Sequence, residues 1–265
     1  MSLELAYRYF GEEGQPPLVI LHGLLGSSRN WTTVGKLLAR SFEVFALDLR
    51  GHGDSPWAPP PARDYSFRAM AGDVAAWVKE RKLERPFLLG HSLGGKVAMR
   101  LAVDSPKYWR GLVVADLAPK DYPPHHLAAF DAMRALDLAA LETRAQAEEF
   151  LRARLADADL ARFLLTNLVR EADAGFRWRI DLDGLNAALP QLALSSLAPD
   201  ERYPGPSLFL RGEQSDYIRD GDRPRIAAHF PRHQILVLGQ AGHNLHVDQP
   251  AAFTAALEYF ARELE

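Results

Sequence analysis

Hydrophobic positions along the chain follow two rhythms. Short, unbroken apolar runs lie at residues 17–21 (PLVIL), 42–47 (FEVFAL), 86–89 (PFLL) and 111–115 (GLVVA). Their length suits strands, and the lack of a polar face suits a parallel sheet covered by helices on both sides. Between them apolar residues recur at helical spacing: Phe67, Met70, Val74, Trp77 and Val78 follow Ser66, which can cap a helix. A short helix is expected over 32–40. Residues 5–10 alternate like an edge strand and stop at the turn composition of 11–14. A proline-rich loop spans 58–62. Strand and helix thus alternate three times, which predicts an α/β protein with a mostly parallel central sheet.

The rhythm breaks after residue 119. From 120 to 203 no strand-like run is evident, only helical periodicity, as in Phe130, Met133 and Leu136 or Phe163, Leu164, Leu168 and Val169. The sheet resumes at 207–210 and 234–238. A closing helix over 250–264 opens with proline and shows Phe253, Leu257 and Phe260 at helical spacing. The expected organisation is a core of 1–119 and 204–265 with an inserted helical cap of 120–203. An insert of that size over an α/β core reads as a lid, the alternative being one that only adds stability. There is no internal repeat.

Composition narrows the possibilities mainly by exclusion. The chain has 265 residues, a net charge of −3 and no cysteine. It can bury a full core, but it has no basic field for a nucleic acid or an anionic membrane surface. Thiol catalysis, disulfides and thiolate metal sites are excluded. The amino terminus lacks a basic start and a long apolar core, so a cytoplasmic protein without a membrane span is expected.

The chemistry concentrates where the run at 86–89 ends. Gly90-His91-Ser92-Leu93-Gly94-Gly95 places a serine in a G-x-S-x-G pattern between a strand and a helix that begins with Val97, Met99, Leu101 and Ala102. In that setting the glycines allow a strained turn that presents the hydroxyl. A serine hydroxyl is a poor nucleophile at neutral pH, so it needs a base and a group that orients the base. His243 follows the last strand and lies at the same carboxyl edge of the sheet, where ligand sites of open parallel sheets are found. His246 competes with it but reads better as a packing or loop residue. His22 and His91 sit inside turns and suit structural hydrogen bonds. His125, His126, His229 and His233 lack spaced carboxylates and read as solvated residues, not metal ligands.

Two acids can orient His243: Asp116, after the strand at 111–115, and Asp216, after the strand at 207–210. Many proteins of this architecture carry the acid three residues beyond the glycine that ends the later strand. Here Ser215 stands there, which favours Asp116 and leaves Asp216 open. Asp48 precedes the serine and is expected to brace Arg50 and the 51–53 turn. For the oxyanion, backbone N–H groups of Leu93 and of Leu24, in the tight turn after 17–21, are the candidate donors.

With these parts in place the chain resembles α/β-hydrolase fold proteins over essentially its whole length. Residues 22–27 (HGLLGS), 48–56 (DLRGHGDSP), 90–96 (GHSLGGK) and 116–119 (DLAP) are similar to the group of YbfF esterases and abhydrolase domain-containing protein 11. So are 164–168 (LLTNL) and 176–179 (FRWR) in the insert, the more specific match because caps vary widely. Gly51 stands where many relatives carry asparagine.

The resemblance implies a carboxylic ester or thioester hydrolase for fairly small acyl groups, with no metal and no organic cofactor. It also implies that Asp116 serves the histidine, with Ser215 as a fourth partner. Carbon–carbon bond hydrolysis, acyl transfer and cofactor-free perhydrolysis use the same constellation, and a ligand receptor that retains it is the non-enzymatic alternative. The expected substrate is a small molecule, and the sequence leaves the oligomeric state open.

Overall fold

Strands form where the apolar runs lie, with ends shifted by a residue or two. In this computed structural model, which describes residues 2–61, 63–123, 126–171 and 175–264, the chain opens with β1 (Tyr7–Phe10), β2 (Pro17–Leu21), α1 (Thr32–Leu38) and β3 (Glu43–Leu47). It continues through α2 (Phe67–Glu80), β4 (Phe87–His91), α3 (Leu93–Asp104) and β5 (Gly111–Ala115). Then come α4 (Leu127–Arg134), α5 (Arg144–Arg152), α6 (Ala158–Leu165), β6 (Leu168–Glu171), β7 (Gly175–Trp178) and α7 (Leu182–Ala193). The last third holds β8 (Ser207–Gly212), α8 (Arg223–His229), β9 (His233–Leu238), α9 (Leu245–Asp248) and α10 (Pro250–Arg262). The proline-rich loop expected at 58–62 ends on residue 62, which, like His125, lies outside the described residues.

Among the described residues one sheet runs in the order β1-β3-β2-β4-β5-β8-β9. β1 is antiparallel to β3, and the other pairings are parallel. The unbroken runs are explained by burial on both faces. In β2, Leu18 and Ile20 join α1 and α10 residues such as Val34, Leu38, Phe253 and Leu257 in one apolar layer. Val19 and Leu21 join Met70, Val74 and Trp77 of α2 and Val97 and Leu101 of α3 in the other. Alternate residues thus face opposite layers and neither set can be polar. Ser66 caps α2 as expected, its side chain accepting from Ala69 N–H at 3.2 Å.

The stretch 120–203 is not helical throughout. β6 and β7 form an antiparallel hairpin with Leu168 opposite Trp178. The expected periodicity fails because Leu164 and Leu168, four apart, straddle the end of α6 at Leu165. Strands of four residues are too short to display their own alternation. Trp178 donates to the Met133 carbonyl at 3.2 Å, and Phe130, Met133, Leu164 and Trp178 share the apolar layer that covers α2 and α3.

Because β4, β5, β8 and β9 are neighbours, the loops leaving their carboxyl ends converge. Those loops carry Ser92, Asp116, Ser215 and His243. No helix among the described residues is long and apolar enough to cross a membrane.

Candidate active site

Ser92 sits at the junction of β4 and α3 with φ 51° and ψ −117°, a left-handed conformation that costs a non-glycine residue energy and holds only where the surroundings impose it. Close packing imposes it here. A Cβ on Gly90 would collide with the Gly94 carbonyl, and one on Gly94 with the Leu21 carbonyl. Gly94 N–H also donates to the His22 carbonyl at 3.0 Å, which ties the turn to the end of β2. Ser92 is the N-terminal cap of α3. The first amides of a helix lack intrahelical acceptors, and the helix dipole is positive there. The Leu93 N–H therefore belongs to an end suited to developing negative charge.

The two candidate acids part company. Asp116 is wholly buried, at φ 50°, and His243 Nδ1 lies 2.8 Å from its Oδ2. It also accepts from Gly212 N–H at 3.1 Å and, through a short hydrogen bond, from the Ser215 hydroxyl. Asp216 points the other way, with a side chain 85 % exposed and paired to Arg219 at 3.3 Å. A carboxylate only accepts, so His243 Nδ1 donates to Asp116 and Nε2 carries the free lone pair.

Tyr217 stacks on the His243 ring, centroids 3.7 Å apart and planes 15° from parallel. It presents an aromatic face to the imidazole and to any imidazolium. Sequence reasoning missed this residue, since nothing in the composition of residues 211–217 announces a stack. It also missed Lys96, which lines the pocket; here a signal existed, because Ser92 and Lys96 are four apart and lie on one side of α3.

Ser92 opens into a mostly apolar pocket. Leu24 and Leu93 flank the serine, and Leu189 and Leu192 of α7, Tyr122 and Tyr217 form much of the remaining wall. Such a lining suits an apolar group, with few polar positions to orient it. Among the described residues no cluster of histidine and acidic side chains could hold a metal ion.

The other histidines divide by environment. His22 Nδ1 donates to the Gly23 carbonyl at 2.8 Å and Nε2 accepts from Leu49 N–H at 3.0 Å, so it does hold its turn. His91 Nε2 donates to the His243 carbonyl at 2.9 Å and steadies that loop from below. His246 is buried and stacked on Trp31 with centroids 4.1 Å apart, a packing residue as expected. Two expectations are corrected. His229 is buried, not solvated, and donates from Nδ1 to the Glu201 carbonyl at 2.7 Å. His233, half-buried, donates to the Phe230 carbonyl at 2.8 Å. His126 lines the pocket.

Asp48 braces the turn but not Arg50. It accepts from Ser28 N–H at 2.5 Å and Asp54 N–H at 2.8 Å, whereas Arg50 forms a buried fork with Asp73 at 2.6 and 2.7 Å. The pairing follows from reach: Asp48 is already enclosed by the 51–54 turn.

Burial pushes His22 down to about 4. Burial, then the neighbouring His22, pushes His52 to about 3. Burial, then His243, lowers His91 well below the ordinary imidazole value and His246 to about 3. All four are neutral in the folded protein at pH 7, while the unfolded chain takes up protons near pH 6.5. Their folded values are depressed, so their contribution to stability is complete above about pH 6.5 and is lost as pH falls toward 3–4. On the order of 2 kcal/mol is lost by pH 5 for each of His22, His52 and His246, before most carboxylates titrate. Urea midpoints at pH 7, 6 and 5 are expected to fall steadily; equal midpoints at pH 7 and 5 would contradict this.

The alpha/beta hydrolase fold family matches residues 16–250. The sn-1-specific diacylglycerol lipase ABHD11 of Mus musculus is 36% identical, over 97% of this chain and 85% of its own. Esterase YbfF of Escherichia coli K12 is 28% identical, over 95% of both chains. Among solved structures, a marine microorganism esterase superposes with a TM-score of 0.92 at 36% identity, covering 98% of this chain and all of that one.

Proposed function

The chain belongs to the α/β-hydrolase fold family and is a hydrolase; from that premise we propose that it cleaves carboxylic esters or thioesters of small to medium acyl groups through an acyl-enzyme on Ser92. The observation that carries the reading is the bond from His243 Nδ1 to the buried Asp116 carboxylate at 2.8 Å, on the loop that meets the strained Ser92 turn at one sheet edge.

The chemistry follows from the proton inventory. His243 Nε2 takes the Ser92 proton as Oγ attacks the carbonyl carbon, and Asp116 stabilises the imidazolium that forms. The oxyanion accepts from the N–H groups of Leu24 and Leu93. When the intermediate collapses, Nε2 gives its proton to the departing alkoxide or thiolate. Water then loses a proton to the same nitrogen and attacks the acyl carbon, and the acid leaves as Ser92 recovers its hydrogen. Ser215 OH donates to the same Asp116 oxygen that faces His243 while Gly212 N–H holds the other, and Tyr217 stacks on the imidazole through both halves of the cycle. No step needs a metal or an organic cofactor.

In this reading residues 120–203 are the cap over a core of 1–119 and 204–265. α7 supplies the pocket wall opposite Ser92, and contacts such as Asn167 Nδ2 to the Leu25 carbonyl at 2.8 Å bind the insert to the oxyanion turn. The test is turnover of nitrophenyl esters from acetate to dodecanoate. The apolar pocket walled by α7 predicts kcat/KM highest among short and middle chains and falling for long ones. Inactivity on every ester would turn the assignment to another chemistry of the same fold.

A further inference from the structure

Lys96 is 96 % buried, yet it forms no ion pair among the described residues. Its Nζ instead donates to three consecutive carbonyls, those of Leu192 at 2.8 Å, Ala193 at 3.0 Å and Leu194 at 2.6 Å. These carbonyls end α7, where helix carbonyls lack intrahelical donors and the helix dipole is negative. The rings of Phe67 and Tyr122 lie 5.5 and 5.2 Å from the same ammonium. Burial pulls the lysine down to about 8, so at pH 7 it keeps its proton and all three donors. A buried lysine is expensive unless something requires it, and the reaction steps above leave it unused.

What the arrangement requires is a fixed distance. Lys96 and Ser92 belong to one turn of one helix, so the lysine head moves with the nucleophile. The carbonyls it grips belong to the segment whose Leu189, Leu192 and Ala193 line the pocket. The other end of α7 is fixed separately: its cap Asp181 accepts from Tyr65 OH at 2.7 Å, and Asp181 N–H donates to the Gly51 carbonyl at 2.9 Å. Tyr122 N–H also donates to the Ala193 carbonyl at 2.8 Å, so the end of α7 is held from outside the helix, with Lys96 supplying three of the bonds.

Building on the ester-hydrolase reading, we infer that Lys96 is a positioning residue that sets the depth of the acyl pocket by tying the end of α7 to the helix that carries Ser92. It touches no reacting atom; it acts through the α7 wall. Removing the grip lets that wall retreat, so longer acyl chains gain relative to shorter ones, and the gain lies in KM more than in kcat because the reacting groups stay in place.

The experiment compares kcat/KM for nitrophenyl octanoate and butyrate in the parent, Lys96→Met and Lys96→Arg. Methionine keeps the length and loses the donors. Arginine keeps the charge, but its planar head cannot enter a cage of three carbonyls built for an ammonium and pushes α7 outward. Both variants are expected to raise the octanoate to butyrate ratio by roughly tenfold, the low end of what one methylene is worth in an apolar pocket. An unchanged ratio in a folded variant, with only a lower melting temperature, would overturn the inference and reduce Lys96 to a structural tie. If Lys96→Met does not fold, Lys96→Arg decides on the same ratio. A parent inactive on both esters would instead overturn the ester-hydrolase reading, and the inference with it.

Discussion

Ser92→Ala is expected to lower kcat for ester hydrolysis by roughly 10⁴-fold or more, with the melting temperature little changed. The asymmetry follows from the elbow. Alanine retains the Cβ that the turn at φ 51° already accommodates, so the strain is neither added to nor relieved. The proposed chemistry loses its nucleophile. What survives is the pocket and the amide donors of Leu24 and Leu93, which could still assist direct attack by water. Steady-state rates on a short nitrophenyl ester, with a thermal melt of each protein, measure both halves. A variant that retained the parent rate would place the nucleophile elsewhere.

Asp116→Asn is expected to cost about 10⁴-fold in kcat, while Asp216→Asn stays within about a factor of two, as surface changes do. The argument is again one of protons. Asp116 faces three donors: Gly212 N–H, Ser215 OH and His243 Nδ1–H. One carboxylate oxygen accepts from Gly212 N–H and the other from both Ser215 OH and His243 Nδ1–H. An asparagine has one accepting oxygen, and when Gly212 N–H holds it the NH₂ turns toward Ser215 and His243 Nδ1. That nitrogen then accepts, the ring proton moves to Nε2, and the base can no longer take the serine proton. Asp216, exposed and paired with Arg219, touches none of these atoms. Parallel assays of the two variants separate the acids, and loss confined to Asp216→Asn would reverse the assignment.

Much of this was legible in the chain, for reasons that differ by element. The strands at 17–21 and 111–115 agree with β2 and β5 to the residue, because burial on both faces leaves an unbroken apolar signal between turn residues. The tight turn at Ser92 and the placing of His243 at the same sheet edge were legible because glycine spacing and position after a strand can be read along the chain. The choice between Asp116 and Asp216 was not local: each follows a strand, and only the three-dimensional path shows that the loop after β8 turns Ser215 inward and Asp216 outward.

The hairpin of β6 and β7 was hidden by its brevity and by a leucine spacing that continues the period of α6. The contacts that Tyr217 and Lys96 make were hidden for another reason. Their partners, His243 and residues 192–194, lie far away in sequence, and no pattern along one segment encodes a contact made by another. Arg50 shows the same limit, since its charge is matched by Asp73 in α2 and not by Asp48 two residues away.

The central claim is that Ser92 carries the acyl group during turnover. The most direct measurement is mass spectrometry of the protein quenched in acid during the first turnovers of a nitrophenyl ester, followed by digestion and mapping of the added mass. The expected result is close to one acyl group per chain, on the peptide containing Ser92, absent in Ser92→Ala and accumulating with the burst of nitrophenol. Turnover with no covalent intermediate under rapid quench, or an acyl group mapped to another residue with Ser92 unmodified, would contradict it.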